Sequence, residues 1–395
     1  MSGTAGAAVR SCARLLVTLL LLVLAVASAG GAATGPPKCN SRSAPHKAGC
    51  LNVLTSGGNV GQLQWADADT LFLQNNNDLQ RVAVSTRTFT TLDGPGAELG
   101  FRAFSPDRSK IAYTTFQPDA SVRTVPLSGG APFVVTSAPG GTALPQFPIW
   151  RTDGQRIAYV NDYVGGEVDW VPANGGAPTV VMAGGSYARS VLAYLADGSI
   201  IVAQSDRAQP PNPVLVRVTE SGVQTVLATD AIAPVASPNG SKVAYQTSAG
   251  DVYVVSTAGG APVPLGVSVS TYSEMDFSPD GTLLALGGYD PTDTTVAAYV
   301  AHVDGSGAST LPFGGFNFGW SPDQSRIAMY GFEPGTTNPA LAVVNADGSN
   351  LKELFSGICS SPVFSTDGSK IACVDYVVDP TTGIGSNELG VLSLK

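Results

Sequence analysis

The chain is poor in the residues on which most catalytic and metal chemistry depends. It holds two histidines, His46 and His302, and five cysteines with no C-x-x-C pair, which leaves little for a zinc site. A Ser-His-Asp triad would have to use His46, ahead of the first strand signal, or His302, inside the strand-like segment Tyr299-Val-Ala-His-Val303; both read as structural. A G-x-S-x-G nucleophile turn, a P-loop, a dinucleotide fingerprint and an HExxH pair are all missing, which argues against hydrolase, nucleotide-binding and zinc-protease sites. Only 13% of residues are charged, the net charge is −9 and no basic cluster occurs. Nucleic acid and anionic membrane surfaces are therefore poor partners. Beyond the N-terminus there is no helical stripe of useful length and no apolar run long enough to cross a bilayer.

Glycine and proline are plentiful, at 46 and 28, beside a hydrophobic content of 44%. Apolar and β-branched runs persist along the whole chain, so this is the composition of a turn-rich β protein and not of a disordered one.

A phrase recurs about every forty-odd residues. Phe104-Ser-Pro-Asp-Arg-Ser-Lys-Ile-Ala-Tyr113 returns as Phe277-Ser-Pro-Asp-Gly-Thr-Leu-Leu-Ala-Leu286, as Trp320-Ser-Pro-Asp-Gln-Ser-Arg-Ile-Ala-Met329 and as Phe364-Ser-Thr-Asp-Gly-Ser-Lys-Ile-Ala-Cys373. Weaker copies start at Trp65, Trp150, Tyr194 and Ala236, so that the starts lie 39, 46, 44, 42, 41, 43 and 44 residues apart. In each unit Pro presets φ, Asp bonds the backbone and Gly tolerates positive φ. A strand such as Ile157-Ala-Tyr-Val160 follows. A variable loop then leads to a third strand, a Gly-rich turn such as Asn174-Gly-Gly-Ala-Pro178 and a closing strand such as Thr179-Val-Val-Met182. Four short strands per unit at this period predict an all-β fold, a β-propeller of four-stranded blades. Eight blades are expected; seven is the alternative if the degenerate first unit, 65–69, is not a blade.

The last unit lacks its outer strand, because the sequence after Leu389-Gly-Val-Leu-Ser393 ends at Lys395. Leu51-Asn-Val-Leu-Thr55 has the pattern of the missing strand, and it is expected to close the ring and cover the open edge. Residues 50–395 are thus read as the propeller and residues 30–49 as a linker. Residues 1–29 read as a signal peptide: Arg10 and Arg14, an apolar run from Leu15 to Val26, and Ala27-Ser-Ala29 as a cleavage site. Cleavage would remove Cys12, leaving no stable membrane insertion and an even set of Cys39, Cys50, Cys359 and Cys373. In an exported chain these are expected to be oxidised. The pairing is open between sequence neighbours, Cys39 with Cys50 and Cys359 with Cys373, and a cross-pair from Cys50 to the last blade.

The aromatic-Ser-Pro-Asp-Gly turn, the Ile-Ala-Tyr/Phe strand and the Gly-Gly turn resemble the TolB-like family of WD-type propeller repeats, over roughly residues 50–395. Departures are Arg108 and Gln324 in place of the turn Gly, and Ala236 in place of the aromatic. The resemblance implies the fold without specifying an activity.

The repeated turn Asp reads as turn chemistry, and the variation between units says more. The loops between second and third strands, such as 204–213, 289–295, 332–339 and 375–387, share no pattern. They lie on the face where the chain enters each blade, and those entering segments hold Gln146, Phe147, Tyr187, Arg189, Tyr272, Glu274, Phe313, Phe316 and Asn317. Variable loops on a rigid frame are where binding usually resides. Tyr187, Arg189, Tyr272, Glu274 and Phe316 are therefore the binding candidates; for each, plugging a gap between blades is the competing role. The expectation is an exported, periplasmic or extracellular, non-enzymatic module that binds or scaffolds a protein, peptide or glycan. The alternative is a hydrolase or lyase at the channel mouth using carboxylates such as Glu274. No cofactor is expected. Calcium at the acidic segments 289–293 and 375–379 is the exception considered, although they lack the alternating ligands of an EF-type loop.

Overall fold

The computed structural model describes residues 51–54, 59–94, 99–116, 120–138, 145–162, 165–207, 213–269, 274–289, 295–332, 336, 338–378 and 385–394. Its strands form eight four-stranded antiparallel sheets arranged as a ring. Blades 1 to 7 span 60–93, 99–138, 145–182, 187–229, 232–268, 274–310 and 314–356, each running from inner to outer strand in chain order. Blade 8 takes Cys359–Phe364, Lys370–Val378 and Gly385–Ser393 and receives its outer strand, Asn52–Val53, from the start of the propeller. The degenerate first unit is a complete blade, so the count is eight and the seven-blade alternative falls. The closing strand is where the sequence puts it, although Thr55 lies outside the described residues.

Burial explains why the ring holds. The core is split into eight apolar clusters, each between neighbouring blades. The seam between blades 8 and 1 packs Val60, Trp65, Leu71 and Val82 against Ala372, Val374, Leu389 and Val391. Trp65 Nε1 donates to the Val363 carbonyl at 3.0 Å, and Lys370 Nζ reaches the Ala68 carbonyl at 2.7 Å across this seam. Each β-branched or aromatic side chain buried here removes apolar surface from water at about 25 cal/mol per Å², and no blade can do so alone.

The repeated turn is a local clasp. Ser105 Oγ donates to Asp107 Oδ1 at 2.6 Å, and that oxygen also accepts the backbone N–H of Ser109 at 3.0 Å. Ser321 with Asp323 and Ser365 with Asp367 repeat it, and Ser237 with Asn239 shows that the amide serves as well. Arg108 and Gln324 stand where other copies have Gly, and they keep the same left-handed backbone, with φ of 54° and 62°.

Blade 8 differs from expectation in one detail. Much of the long loop 375–387 is strand: Asp375 pairs with Glu388, Tyr376 with Asn387 and Val378 with Gly385. The hairpin continues because its two strands keep pairing with each other as far as Val378 and Gly385. Cys359 and Cys373 form a disulfide with Cα atoms 5.3 Å apart. It joins the inner and second strands of one blade, which removes the cross-pair from Cys50 to either of them. Cys39 and Cys50 lie outside the described residues.

Candidate functional site

The eight inner strands form the wall of the central channel, and that wall is bulged in a repeating way. Three residues before the phrase aromatic, Gln62, Phe147, Ala233, Asn317 and Ser361 all have φ between 47° and 51°. Each lies where the register of the ladder to the second strand shifts, with one extra residue on the inner strand. A left-handed non-glycine residue stores strain, and a bulge re-aims side chains; five copies at one repeat position make this a property of the wall.

Blade 6 departs from the pattern. Glu274 holds that position and pairs with Gly287 in unbroken register. Its side chain answers the bulge of the next blade. Asn317 donates its backbone N–H to Glu274 Oε2 at 2.8 Å and its side-chain amide to the same oxygen. Asn317 Oδ1 in turn accepts from the backbone N–H of Ser361 at 3.4 Å, linking blades 6, 7 and 8. Close backbone approach makes this geometry available: a Cβ on Gly319 would lie 2.2 Å from the Pro362 carbonyl oxygen, and one on Gly287 would lie 2.1 Å from that of Gly315.

These three strands line an open cavity of about 260 Å³ bordered by Glu274, Met275, Asp276, Asn317, Phe318, Ser361, Pro362 and Val363. Asp276 is recessed in the wall, and burial pushes its carboxyl up to about 7. Its own carbonyl accepts Trp320 Nε1 at 3.1 Å, which fixes the backbone beneath it. Beside the cavity lies an aromatic group: Phe316 is 5.8 Å from Tyr289 and meets Phe332 edge-on at 6.4 Å, ring centre to ring centre. Tyr289 is 41% exposed. Tyr289 and Phe332 end the second strands of blades 6 and 7, where the variable loops begin.

The structure brings Glu274, Phe316 and Asn317 together and places Tyr187 and Arg189 two blades away, on the inner strand Tyr187–Tyr194. Arg189 is buried: it donates to Gln204 Oε1 at 2.7 Å and to the carbonyls of Gly166 and Ala183 at 2.8 and 2.7 Å, and it lies over the Tyr187 ring at 4.7 Å. Phe313 is sealed in the cluster between blades 6 and 7, and Phe147 packs against that between blades 3 and 4. Tyr272 lies outside the described residues. Asp276, Phe318 and Ser361 stand outside what the sequence singles out, and Tyr289 and Phe332 enter it only as the first residues of variable loops. A signal for Asp276 was present: aligned on the phrase, the preceding residues are Gln64, Ala103, Ile149, Ala193, Val235, Asp276, Gly319 and Val363, one acid among neutral residues. Among the described residues no group of three or more His, Cys, Asp or Glu stands close enough to hold a metal ion, and no helix is long and apolar enough to cross a membrane. Residues 290–294 and 379–384, parts of the acidic segments considered for calcium, lie outside that set.

The architecture recurs in solved structures at low identity. Dipeptidyl peptidase 4 of Porphyromonas gingivalis aligns with a TM-score of 0.59 and 12% identity over 86% of this chain and 60% of its own, so the chain spans under two thirds of that peptidase. A eukaryotic initiation factor aligns with a TM-score of 0.53 and 12% identity over 85% of this chain and 86% of its own. TolB from Acinetobacter baumannii aligns over 78% of this chain and 81% of its own at 14% identity, with a TM-score of 0.39. Identities this low speak for the fold alone. No family model matches the chain, and no curated protein sequence matches it.

Proposed function

We propose that this chain is an exported, non-enzymatic propeller of TolB-like type that binds a protein, peptide or glycan at the mouth of its channel, in the periplasm or outside the cell. Residues 1–29 act as the signal and 30–49 as a linker to the ring. Export is supported by the charge–apolar–small order of that N-terminus and by the disulfide between Cys359 and Cys373. The observation that carries the binding reading is the polar-and-apolar cavity in the channel wall together with the Tyr289–Phe316–Phe332 group, where the variable loops begin. Aromatic platforms beside a few fixed polar groups are suited to recognition.

The test is affinity capture from envelope extracts with the mature protein. Tyr289→Ala with Phe316→Ala should lose the captured partner while melting like wild type, and Ala258→Glu, in a Gly-Gly turn of the opposite face, should keep it. Loss confined to Ala258→Glu would place binding on the wrong side of the ring. A hydrolase or lyase at the same mouth is the second reading, favoured by the raised Asp276 carboxyl beside Glu274. Turnover of a peptide or glycan substrate that Asp276→Asn abolishes would replace the first reading with this one.

A further inference from the structure

The channel wall of blade 6 carries charge that its surroundings leave unanswered. The eight inner strands hold two acids, Glu274 and Asp276. They are two residues apart on one strand, hence on one face, and both line the cavity. Oε2 of Glu274 takes both bonds from Asn317, and Oε1 takes none among the described residues. The Asp276 carboxylate has no hydrogen-bond or ion-pair partner among the described residues, and burial accounts for its raised pKa. No Lys, Arg or His lines the cavity. A recessed carboxylate without a partner is costly when ionised, and a cation is the chemistry that would offset that cost.

The remaining walls say which kind. Met275, Phe318, Pro362 and Val363 are apolar, which suits a hydrocarbon stem. A calcium ion takes six to eight oxygen ligands, whereas this cavity has two carboxylates, and no group of three or more His, Cys, Asp or Glu stands together among the described residues. The volume, about 260 Å³, falls below the roughly 300–1,000 Å³ of pockets for whole drug-sized ligands, and it matches a single inserted side chain. Two acceptors from separate carboxylates suit a compact ammonium with three rotatable donors better than a planar guanidinium, which favours two oxygens of one group. The net charge of −9 favours a basic partner at longer range.

We propose that this cavity receives a lysine side chain of the polypeptide partner, with the ammonium between Asp276 and Glu274 and the methylene stem against Phe318, Met275 and Pro362. The proposal rests on the binding reading above and specifies the partner's chemistry. It carries a linkage. The ammonium favours ionised Asp276, so binding releases a proton wherever Asp276 is neutral beforehand. Glu274 is the titratable group that faces Asp276 from its own strand. The inner strands of blades 7 and 8 bring Asn317, Phe318, Ser361, Pro362 and Val363, none of which titrates.

The experiment is calorimetric titration of the full protein with two probes, acetyl-Gly-Lys-Gly-amide and the same peptide with neutral norleucine in place of lysine. The lysine peptide should bind at least about tenfold tighter than the norleucine peptide. Its affinity should rise about tenfold from about pH 6 to about pH 8, as Asp276 ionises. Asp276→Asn should lose the lysine preference, and so should Glu274→Gln, which retains an oxygen for Asn317. Asp169→Asn, remote from the cavity, should keep it. Equal binding of both peptides, binding of neither, or an Asp276→Asn variant that still prefers lysine overturns the proposal. A saturable rise in melting temperature with calcium chloride that Asp276→Asn removes overturns it in favour of a metal site. Partner capture that depends on Tyr289 and Phe316 without lysine-peptide binding would retain the docking face and remove this cavity from it.

Discussion

At the turn face, Asp107 and Asp367 each accept a serine hydroxyl and a backbone N–H, and these bonds hold both carboxyls down at about 2. In the blade walls, Asp276 and Asp169 face the opposite condition, and burial pushes both up to about 7, with the negative charge of Glu167 adding to the effect at Asp169. One residue type thus does two jobs. At the turns it satisfies donors that the turn itself creates, once per blade. In the walls donors are fewer: Asp169 Oδ1 has no hydrogen-bond partner, and the Tyr159 hydroxyl bond to this carboxyl does not offset burial. The turn face is set by the fold, and the wall of blades 6 to 8 departs from what the fold requires.

The largest test of this contrast concerns how the wall is made. Gly319 has no room for a side chain, since a Cβ would meet the Pro362 carbonyl oxygen at 2.2 Å. Gly319→Val should cost about 3 kcal/mol or more, as overpacking against backbone does. Gly281 at the turn face is free of clash, with its nearest neighbour at 3.4 Å, but has φ +70°; Gly281→Ala should cost only about 1–2 kcal/mol. Denaturant midpoints on both variants decide it, and equal losses would dissolve the distinction between steric and conformational glycine.

Next in size is the opposed pH dependence. The folded-state pKa of Asp169, about 7, lies above the ordinary 3.8. The folded protein therefore keeps a proton that the unfolded chain gives up, and stability falls as pH rises through that window. Asp169→Asn should stabilise the protein by about 1–3 kcal/mol at pH 8, with the gain fading toward pH 4. Asp367 runs the other way. Its folded pKa, about 2, lies below the ordinary value, so its contribution is present above pH 4 and is lost as pH falls toward 2. Asp367→Ala should lower the melting temperature at pH 7 and less so in acid. Parallel pH profiles for the two variants would show that the two environments are not opposed.

This contrast also marks what the sequence made legible. Ser-Pro-Asp-Gly writes its own conformation within four residues, so the blades, their number and the closing strand that includes Asn52–Val53 could be read from local chemistry. Glu274 and Asn317 could be singled out because they stand in the segments entering the blades. Asp276 was harder, because only alignment of the units shows it as one acid among neutral residues, and which face a strand residue takes is a matter of register. Arg189 looked available for the same reason; the carbonyls of Gly166 and Ala183, distant in sequence, claim it.

A smaller effect comes from the tie between wall and neighbour. The indole N–H groups of Trp150 and Trp320 donate to the carbonyls of Ala103 and Asp276 in the preceding blades, at 3.1 Å each. Trp320→Phe keeps the ring contact and loses the bond, at a cost of about 1 kcal/mol. Blades that carry Phe277 or Phe364 at this position show that the fold tolerates it. The loss should also loosen the backbone under Asp276. A variant with wild-type stability would mean that the bond is exchanged for water without loss.

The smallest effect bears on the turn face alone. Gln324 occupies a left-handed position, φ 62°, and its amide nitrogen lies 2.6 and 2.9 Å from the two Asp280 oxygens of the preceding blade. Changing it to glycine relieves about 1 kcal/mol of backbone strain, adds roughly 0.5–1 kcal/mol of unfolded-state entropy and gives up a surface bond to a carboxylate worth about 0.5 kcal/mol. These nearly cancel, so Gln324→Gly should stay within about 0.5 kcal/mol of wild type. Gln324→Val keeps the strain, adds β-branching and loses the bond, and should fall by about 1–2 kcal/mol. Arg108 makes the comparison sharper. Its guanidinium donates to the Trp65 carbonyl at 2.7 Å and lies over the Phe104 ring at 5.0 Å, so Arg108→Gly should lose more than Gln324→Gly does. If Gln324→Val matched Gln324→Gly in thermal melts, the turn would be selecting on something other than φ, and the turn face would no longer be the part of the ring that geometry alone dictates.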